Sequence, residues 1–497
     1  MTCTNKKTTG DTSGFELRYI EEECWGETTD IDDDAKMQKL RLTSESLGVD
    51  RSTVVSDEII SDRQITDLIP TSFSAAGDIN GEFSKDTYDD FIRSATGGEW
   101  ESNDSSIWTL DNSRGNVGVN SSLQIVYSGG TIPSFFIGQE LTFSGFTTAG
   151  NNKTITIKAL TTTLITPTDT TGMAHEAFTA SKVIRVVSKQ SKGVVVKDSG
   201  KKLVFPENYR PAVDEIVGKM IRLSGFKNDA SVNNMTVLVT KGNASTGEYT
   251  VSPTLPKDVA AGSTDIVTIH PELTMSNGSE DVSFYIEKEF TDIAGDNDKK
   301  ILTYLGMMVD RMSINIEAEA KTTIAFSFMG RTGGSITSSF KSEPLEPTTT
   351  DVLISTARGA AIIKWDENGT DKSIDSAIIR SMSIEVSNNL RGKTAIGTLG
   401  SVDMGLGRFS TTGTFTMYLE NFSLYKRYLE NDSFSITFTV GDMDSSNCYM
   451  FHMPKVKIIN SSVVAGGPDQ DVMVEIGYQA LRGEEDDFDK TLYISKT

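Results

Sequence analysis

Internal repetition restricts this chain of 497 residues more than any other feature, because each pattern must fold the same way wherever it recurs. In the middle, Gly138-Gln-Glu-Leu-Thr-Phe-Ser-Gly-Phe146 is echoed by Gly218-Lys-Met-Ile-Arg-Leu-Ser-Gly-Phe226, eighty residues later. Asn151-Asn-Lys-Thr154 then matches Asn233-Asn-Met-Thr236, and a closing strand at 183–187 matches another at 265–269. Ser-Gly and Asn-Asn are turn pairs in which positive φ is tolerated. Two tandem small β-modules are therefore expected, at about 113–188 and 191–271, inside an insertion covering 101–281.

The flanks hold a second, weaker pair. Phe73-Ser-Ala-Ala-Gly-Asp-Ile-Asn-Gly-Glu-Phe83 parallels Phe409-Ser-Thr-Thr-Gly-Thr-Phe-Thr-Met-Tyr-Leu419, each apolar or small on one face and mostly polar on the other, as in a half-buried strand. A helical pattern follows each strand. Tyr88, Phe91, Ile92 and Ala95 fall at i, i+3, i+4 and i+7 with Asp86 as candidate N-cap; Tyr425, Tyr428 and Leu429 follow Ser423 in the same way. Downstream, 304–315 (YLGMMVDRMSIN) aligns without gaps to 449–460 (YMFHMPKVKIIN), and 322–331 to 472–482 after one inserted residue. Upstream, 40–47 pairs loosely with 380–387, and each leads into about twenty residues with few core-type positions, expected to be loops at 48–70 and 388–408.

The pattern predicts an all-β chain: a sandwich or barrel-forming fold with one short helix, present twice, plus the inserted pair of small β-domains. The first copy would cover 38–100 and 282–331, and the second 375–482. Residues 1–37 would be an N-terminal arm, 332–374 a linker and 483–497 an acidic tail.

Charge separates the same segments. The net −22 divides into −12 over residues 1–100, 0 over 101–280 and −10 over 281–497, so the acid lies in the flanks. Such a balance argues against a protein that grips nucleic acid by neutralising phosphates. No run of eighteen apolar residues predicts a transmembrane helix, and the N-terminus lacks the apolar stretch of a signal peptide. Cys3, Cys24 and Cys448 are too few and too far apart for a disulfide framework or metal site, which fits a reducing compartment. Gly392-Lys-Thr394 ends like a phosphate loop but has Ser387 where the first glycine belongs. Asp30-Ile-Asp-Asp-Asp34 has calcium-loop spacing, yet Ala35 replaces the turn glycine and Arg41 the closing glutamate. No catalytic, cofactor-binding or metal-ligating residues are expected, and no cofactor.

The first hundred residues carry a family likeness. Arg41-Leu-Thr-Ser-Glu-Ser-Leu47, Val55-Ser-Asp-Glu-Ile59, Ser61-Asp-Arg-Gln64 and Ser74-Ala-Ala-Gly-Asp-Ile79 through Thr87-Tyr-Asp-Asp-Phe91 resemble the major tail tube proteins of long, non-contractile-tailed bacteriophages. Glu22-Glu-Cys-Trp-Gly-Glu27 is similar to the family's N-terminal lead-in, with Cys24 where a smaller residue is commoner. The resemblance implies a non-enzymatic virion subunit, assembled in the host cytoplasm. It would self-associate into stacked rings, trimeric when one chain carries two tube folds, around an acidic channel that conducts DNA during ejection. Implied partners are further copies of the chain, a tape measure protein, and tail terminator and tip proteins; viral DNA would pass without specific binding, and no membrane is involved. The competing expectation is a β-rich receptor-binding or adhesin-type surface protein with Ig-like domains.

Two sets of residues are candidates for this role. Carboxylates on a channel wall repel phosphates over a Debye length of about 8 Å. Asp78 and Glu82 share a face opposite Ile79 and Phe83, Glu317 and Glu319 one opposite Ile316 and Ala318, and Glu475 lies between Val474 and Ile476. The expected loops carry Asp57, Glu58, Asp62 and Arg63 in one and Arg391 and Lys393 in the other, as candidate ring-stacking contacts. Long loops without internal structure are usually functional or disordered.

Overall fold

The structure is a computed structural model that describes residues 14–27, 36–58, 64–102, 108–110, 116–128, 135–177, 185–188, 190–207, 210–211, 216–217, 219–227, 232–233, 236–252, 254–260, 266–271, 273–291, 300–337, 345–346, 361–367, 370–374, 379–442, 447–464, 471–484 and 489–496. Residues 1–100, 275–442 and 447–494 form one compact unit, and 101–274, with 443–446 and 495–497, a second.

Among the described residues, the main strands and two helices of the first unit fall into two runs. Its first run is β1 (Phe15–Glu21), β2 (Met37–Lys39), β3 (Ser44–Glu45), β4 (Gly48–Val55), β5 (Leu68–Glu82), α1 (Asp89–Thr96), β6 (Phe284–Phe290), β7 (Ile301–Glu317), β8 (Thr323–Gly330) and β9 (Thr332–Thr337). The second run is β10 (Ala361–Glu367), β11 (Thr370–Ile374), β12 (Ile379–Ser387), β13 (Arg391–Lys393), β14 (Asp403–Gly405), β15 (Ser410–Tyr418), α2 (Ser423–Glu430), β16 (Phe434–Asp442), β17 (Asn447–Val464), β18 (Met473–Leu481) and β19 (Tyr493–Lys496).

The antiparallel ladders of the first run follow the order β2–β1–β6–β7–β8–β5–β4, with β9 also on β7. Those of the second follow β11–β10–β16–β17–β18–β15–β12, with β19 also on β17. The irregularities match too. β7 takes its bulges opposite Phe284–Ile286 and at Val309–Arg311, and β17 takes its own opposite Phe434–Ile436 and at Ile458–Asn460. These bulges place Asp310 against Ile459, four residues away from the ungapped sequence alignment. A bulge inserts one unpaired residue, so its position fixes strand correspondence more firmly than side-chain likeness does.

Each long outward strand leads into a short helix closed by a left-handed residue, Gly97 at φ 60° after α1 and Asn431 at φ 56° after α2. Phe91 of α1 is fully buried, with ring centroids of Tyr19, Phe284, Phe326 and Phe328 at 4.7, 5.0, 5.4 and 5.1 Å. Burying one such ring stabilises by roughly 1.5–3 kcal/mol. Two helical expectations need correction. Asp86 does not cap α1: it occupies a left-handed turn at φ 58°, and Tyr88 precedes the helix with no side-chain cap. In α2 the buried positions are Leu424 and Arg427, while Leu429 is exposed.

Both expected loops contain β-structure. Residues 48–55 and 68–70 belong to a long hairpin in which β4 ladders with β5 from Gly48–Ala76 to Val55–Leu68. Residues 388–408 contain the β13–β14 ladder. The β4 strand is wet on both faces and needs no hydrophobic period, so it leaves no period-two signal. Residues 361–374, expected within a linker, form the β10–β11 hairpin and pair with β16. The expected acidic tail contains β19, and Leu492 just before it and Ile494 within it lie in the main core.

The second unit holds two seven-stranded sheets with identical neighbour orders. The first runs Trp108–Leu110, Arg185–Ser188, Glu140–Ser144, Thr154–Leu160, Leu164–Pro167, Ile125–Ser128, Asn116–Val119. The second runs Gln190–Lys192, Ile266–Pro271, Met220–Ser224, Thr236–Asn243, Glu248–Ser252, Lys202–Val204, Val195–Lys197. Each has its own apolar core. One clamp recurs. The Phe146 amide donates to Asn152 Oδ1 at 2.8 Å and Asn152 Nδ2 to the Phe146 carbonyl at 2.8 Å; Asn233 grips Phe226 at 2.8 and 2.9 Å. Asn152, rather than Asn151, is thus the counterpart of Asn233.

Candidate assembly surface

The two runs of the first unit share one ladder. β7 pairs antiparallel with β12 from Arg311–Ser387 to Glu317–Ser381, which makes β4–β5–β8–β7–β12–β15–β18–β17 a continuous eight-stranded sheet. Over most of these strands, β4 excepted, alternate residues enter the core, and the opposite set forms a solvent-facing wall. Register places side chains in rows across it. One row is Glu82, Thr323, Asn315, Ser383, Thr414, Gly477 and Asn460; another is Glu317, Ser381, Thr416, Glu475 and Ser462. Short hydroxyls and amides dominate these rows, with charges widely spaced.

Four of the five candidate wall acids lie on this face: Asp78, Glu82, Glu317 and Glu475. Glu319 does not, because β7 ends at Glu317 and Glu319 sits beyond it at φ 63°. Cations offset part of the acid. Lys321 Nζ lies 2.6 Å from Glu82, and Arg311 Nε 3.6 Å from Glu385. Sequence alternation located the acids but could not see these cross-strand partners, which register alone brings together.

The hairpin candidates divide. Asp57 and Glu58 are exposed near the turn of the β4–β5 hairpin, where Thr66 Oγ1 donates to Glu58 Oε2 at 3.2 Å, and Asp62 and Arg63 lie outside the described residues. Arg391 and Lys393 are on β13, and Lys393 pairs with Asp403 across the hairpin. That second hairpin does not stand free. Buried Asn388 donates through Nδ2 to the Ser94 and Val309 carbonyls at 3.0 and 2.9 Å. The Leu390 amide reaches Asp310 Oδ1 at 2.7 Å, and Leu390 and Met404 bury Met308 together with Trp25, Met329 and Leu406. The Phe73 amide donates to the Leu399 carbonyl at 2.7 Å. The hairpin is a strap across the first run.

Sequence reasoning missed a heavily bonded, buried carboxylate. Glu22, 6% exposed, accepts the Gly26 amide and Ser283 hydroxyl on Oε2 at 2.8 and 2.7 Å and the Gly306 amide on Oε1 at 2.9 Å. Desolvation pushes its pKa up, against these donors and Arg331. Trp25 Nε1 donates to the Gly306 carbonyl at 3.0 Å, under the Arg331 guanidinium at 5.6 Å. The segment 22–26 is thereby clasped to β7. Only its likeness to a tail-tube lead-in marked it beforehand.

Among the described residues, no group of three or more His, Cys, Asp or Glu is arranged to hold a metal, and no helix is long and apolar enough to cross a membrane. Gly392-Lys393-Thr394 sits at a hairpin strand and its exit rather than before a helix. Asp30–Asp34 lies outside the described residues.

The phage tail tube protein family matches residues 15–480. The chain belongs to the phage tail tube protein family. No curated protein matches it. As a member, it is a structural subunit of a bacteriophage tail tube and a virion component, from a family whose members self-assemble with other tail proteins. The all-β architecture agrees with that membership.

Proposed function

We propose that three copies of this tail tube protein close into a pseudo-sixfold ring, and that stacked rings enclose a channel for viral DNA. The shared β7–β12 ladder carries this reading, because it already joins two runs of like strand order edge to edge. Among the described ladders, β4 pairs only with β5, and the β16–β17 ladder stops at Val456 while β17 runs on to Val464, leaving edges of the same two kinds for neighbouring chains. Open strand edges recruit further strands. Each chain supplies two tube folds, at 15–100 with 282–337 and at 361–496.

The eight-stranded wall then faces the bore. Its short hydroxyl side chains offer sliding DNA few phosphate partners, while Asp78, Glu82, Glu317 and Glu475 supply a weak repulsion over about 8 Å. Assembly takes place in the host cytoplasm around a tape measure protein, between tip and terminator proteins, with hairpin turns at the ring faces. Electron microscopy of the purified protein tests the proposal: threefold rings or tubes are expected. Isolated monomers at every concentration, even with tail-tip proteins present, would favour the adhesin-type alternative. Virions carrying Glu317→Lys with Glu475→Lys are expected to eject DNA several-fold more slowly, with the difference shrinking as salt rises.

A further inference from the structure

The strap at 388–408 has a counterpart without a seat. Matching ladders pair the roots of the two hairpins, Asp50–Ser74 on β4–β5 and Ser387–Ser410 on β12–β15, and both hairpins shift register by one residue just beyond. The first hairpin nevertheless leaves Val54, Val55, Ile65, Leu68 and Ile69 between 41 and 72% exposed. A two-stranded ribbon with apolar residues on both faces is unstable alone in water and calls for a surface to cover it.

We propose that this hairpin straps the second run of a neighbouring copy in the same ring, as hairpin 388–408 straps the first run of its own chain. The inference rests on ring assembly and names the partner surface. The bulges and ladders carry Met308 onto Lys457 and Met329 onto Gln479, and Lys455 stands beside them. The surface that receives the strap therefore presents Lys455 and Lys457 where the internal one is apolar, and exposed Ile459 where the internal one has Asp310.

The straps differ in the complementary sense. Residues 388–408 carry Arg391, Lys393 and Arg408 against one acid, whereas 51–72 carry Asp57, Glu58, Asp62 and Asp67 against Arg51 and Arg63. The basic surface already receives carboxylates of its own chain: Glu484 pairs with Lys455, and Asp489 lies 3.6 Å from Arg482. Opposite charge at the two junctions would stop the acidic strap from folding onto Asp310 of its own first run, and so direct it outward.

Charge reversal in the full chain tests this. Asp57→Lys with Glu58→Lys, and separately Lys457→Glu with Arg482→Glu, are each expected to raise the concentration needed for ring formation at least tenfold. Circular dichroism should be unchanged, and all four reversals in one chain should restore assembly to within about threefold of the parent. Reversals without effect, or no rescue in the fourfold variant, would overturn the strap while leaving ring assembly intact, since the parent chain would still form rings. Electron microscopy of the tube gives a second readout: the hairpin lies over Lys455 and Lys457 of the lateral neighbour, and a hairpin that instead reaches only the next ring refutes the proposal.

Discussion

Glu22 shows how one side chain can hold a segment that has little core of its own. Its two oxygens take three donors from three separate parts of the chain, and water is excluded from all of them. Glu22→Ala would leave those donors unsatisfied, and a cost of roughly 3 kcal/mol in chemical denaturation is expected. Tyr88 provides a pH test. Its hydroxyl donates to the Arg41 carbonyl at 2.8 Å, and burial pushes its pKa up from 10.0 to about 12. A folded-state pKa above the unfolded one means stability fully present below pH 10.0 and lost as pH rises towards about 12. Thermal melts should fall across that window, and Tyr88→Phe should make the fall shallower, with the other buried tyrosines such as Tyr304 and Tyr493 supplying the remainder. The sequence marked Tyr88 as a core position by helical spacing, but the Arg41 carbonyl it reaches is 47 residues away and left no trace there.

Among elements, the inserted modules were the most legible and the hairpins the least. Ser-Gly-Phe and Asn-Asn are local turn chemistry, repeated at nearly constant spacing, so the modules could be counted before any strand was placed. Their Asn clamps should act locally: Asn152→Ala and Asn233→Ala are each expected to cost about 1–2 kcal/mol and, by calorimetry, to lower the transition of one module while leaving the other in place. The hairpins at 48–70 and 388–408 looked like loops because neither buries a face in a core of its own. Strap residues such as Leu390 and Met404 find apolar partners only on distant strands, and that contact has no signature in local alternation. The wall acids were half-legible. Period two put Asp78, Glu82, Glu317 and Glu475 on one side of their strands, but it also carried the pattern past the end of β7 to Glu319.

For the whole molecule, the insertion leaves and rejoins at one place. The Gly278 amide donates to the Thr96 carbonyl at 3.1 Å and the Glu280 amide to the Gly97 carbonyl at 2.9 Å, so the end of α1 and the returning segment are already bonded. Replacing 101–274 with a short Gly-Ser linker should therefore leave a folded chain that still forms rings, checked by chromatography and electron microscopy. Loss of folding would mean that the first unit depends on the modules. Contacts within the first unit, such as Asn388 to Ser94, keep its two runs together without the insertion.

The amino-acid order alone determined the β class, the turn pairs of the insertion, the buried faces of the main strands and the segregation of acid to the flanks, because these are set by the residues themselves and by neighbours a few positions apart. Tertiary structure decided the rest: which strands share the β7–β12 ladder, which carboxylates meet a cation, and that residues 361–374 and 493–496 belong to sheets. Those outcomes depend on register between segments hundreds of residues apart, and a one-residue bulge resets that register while leaving the local pattern unchanged.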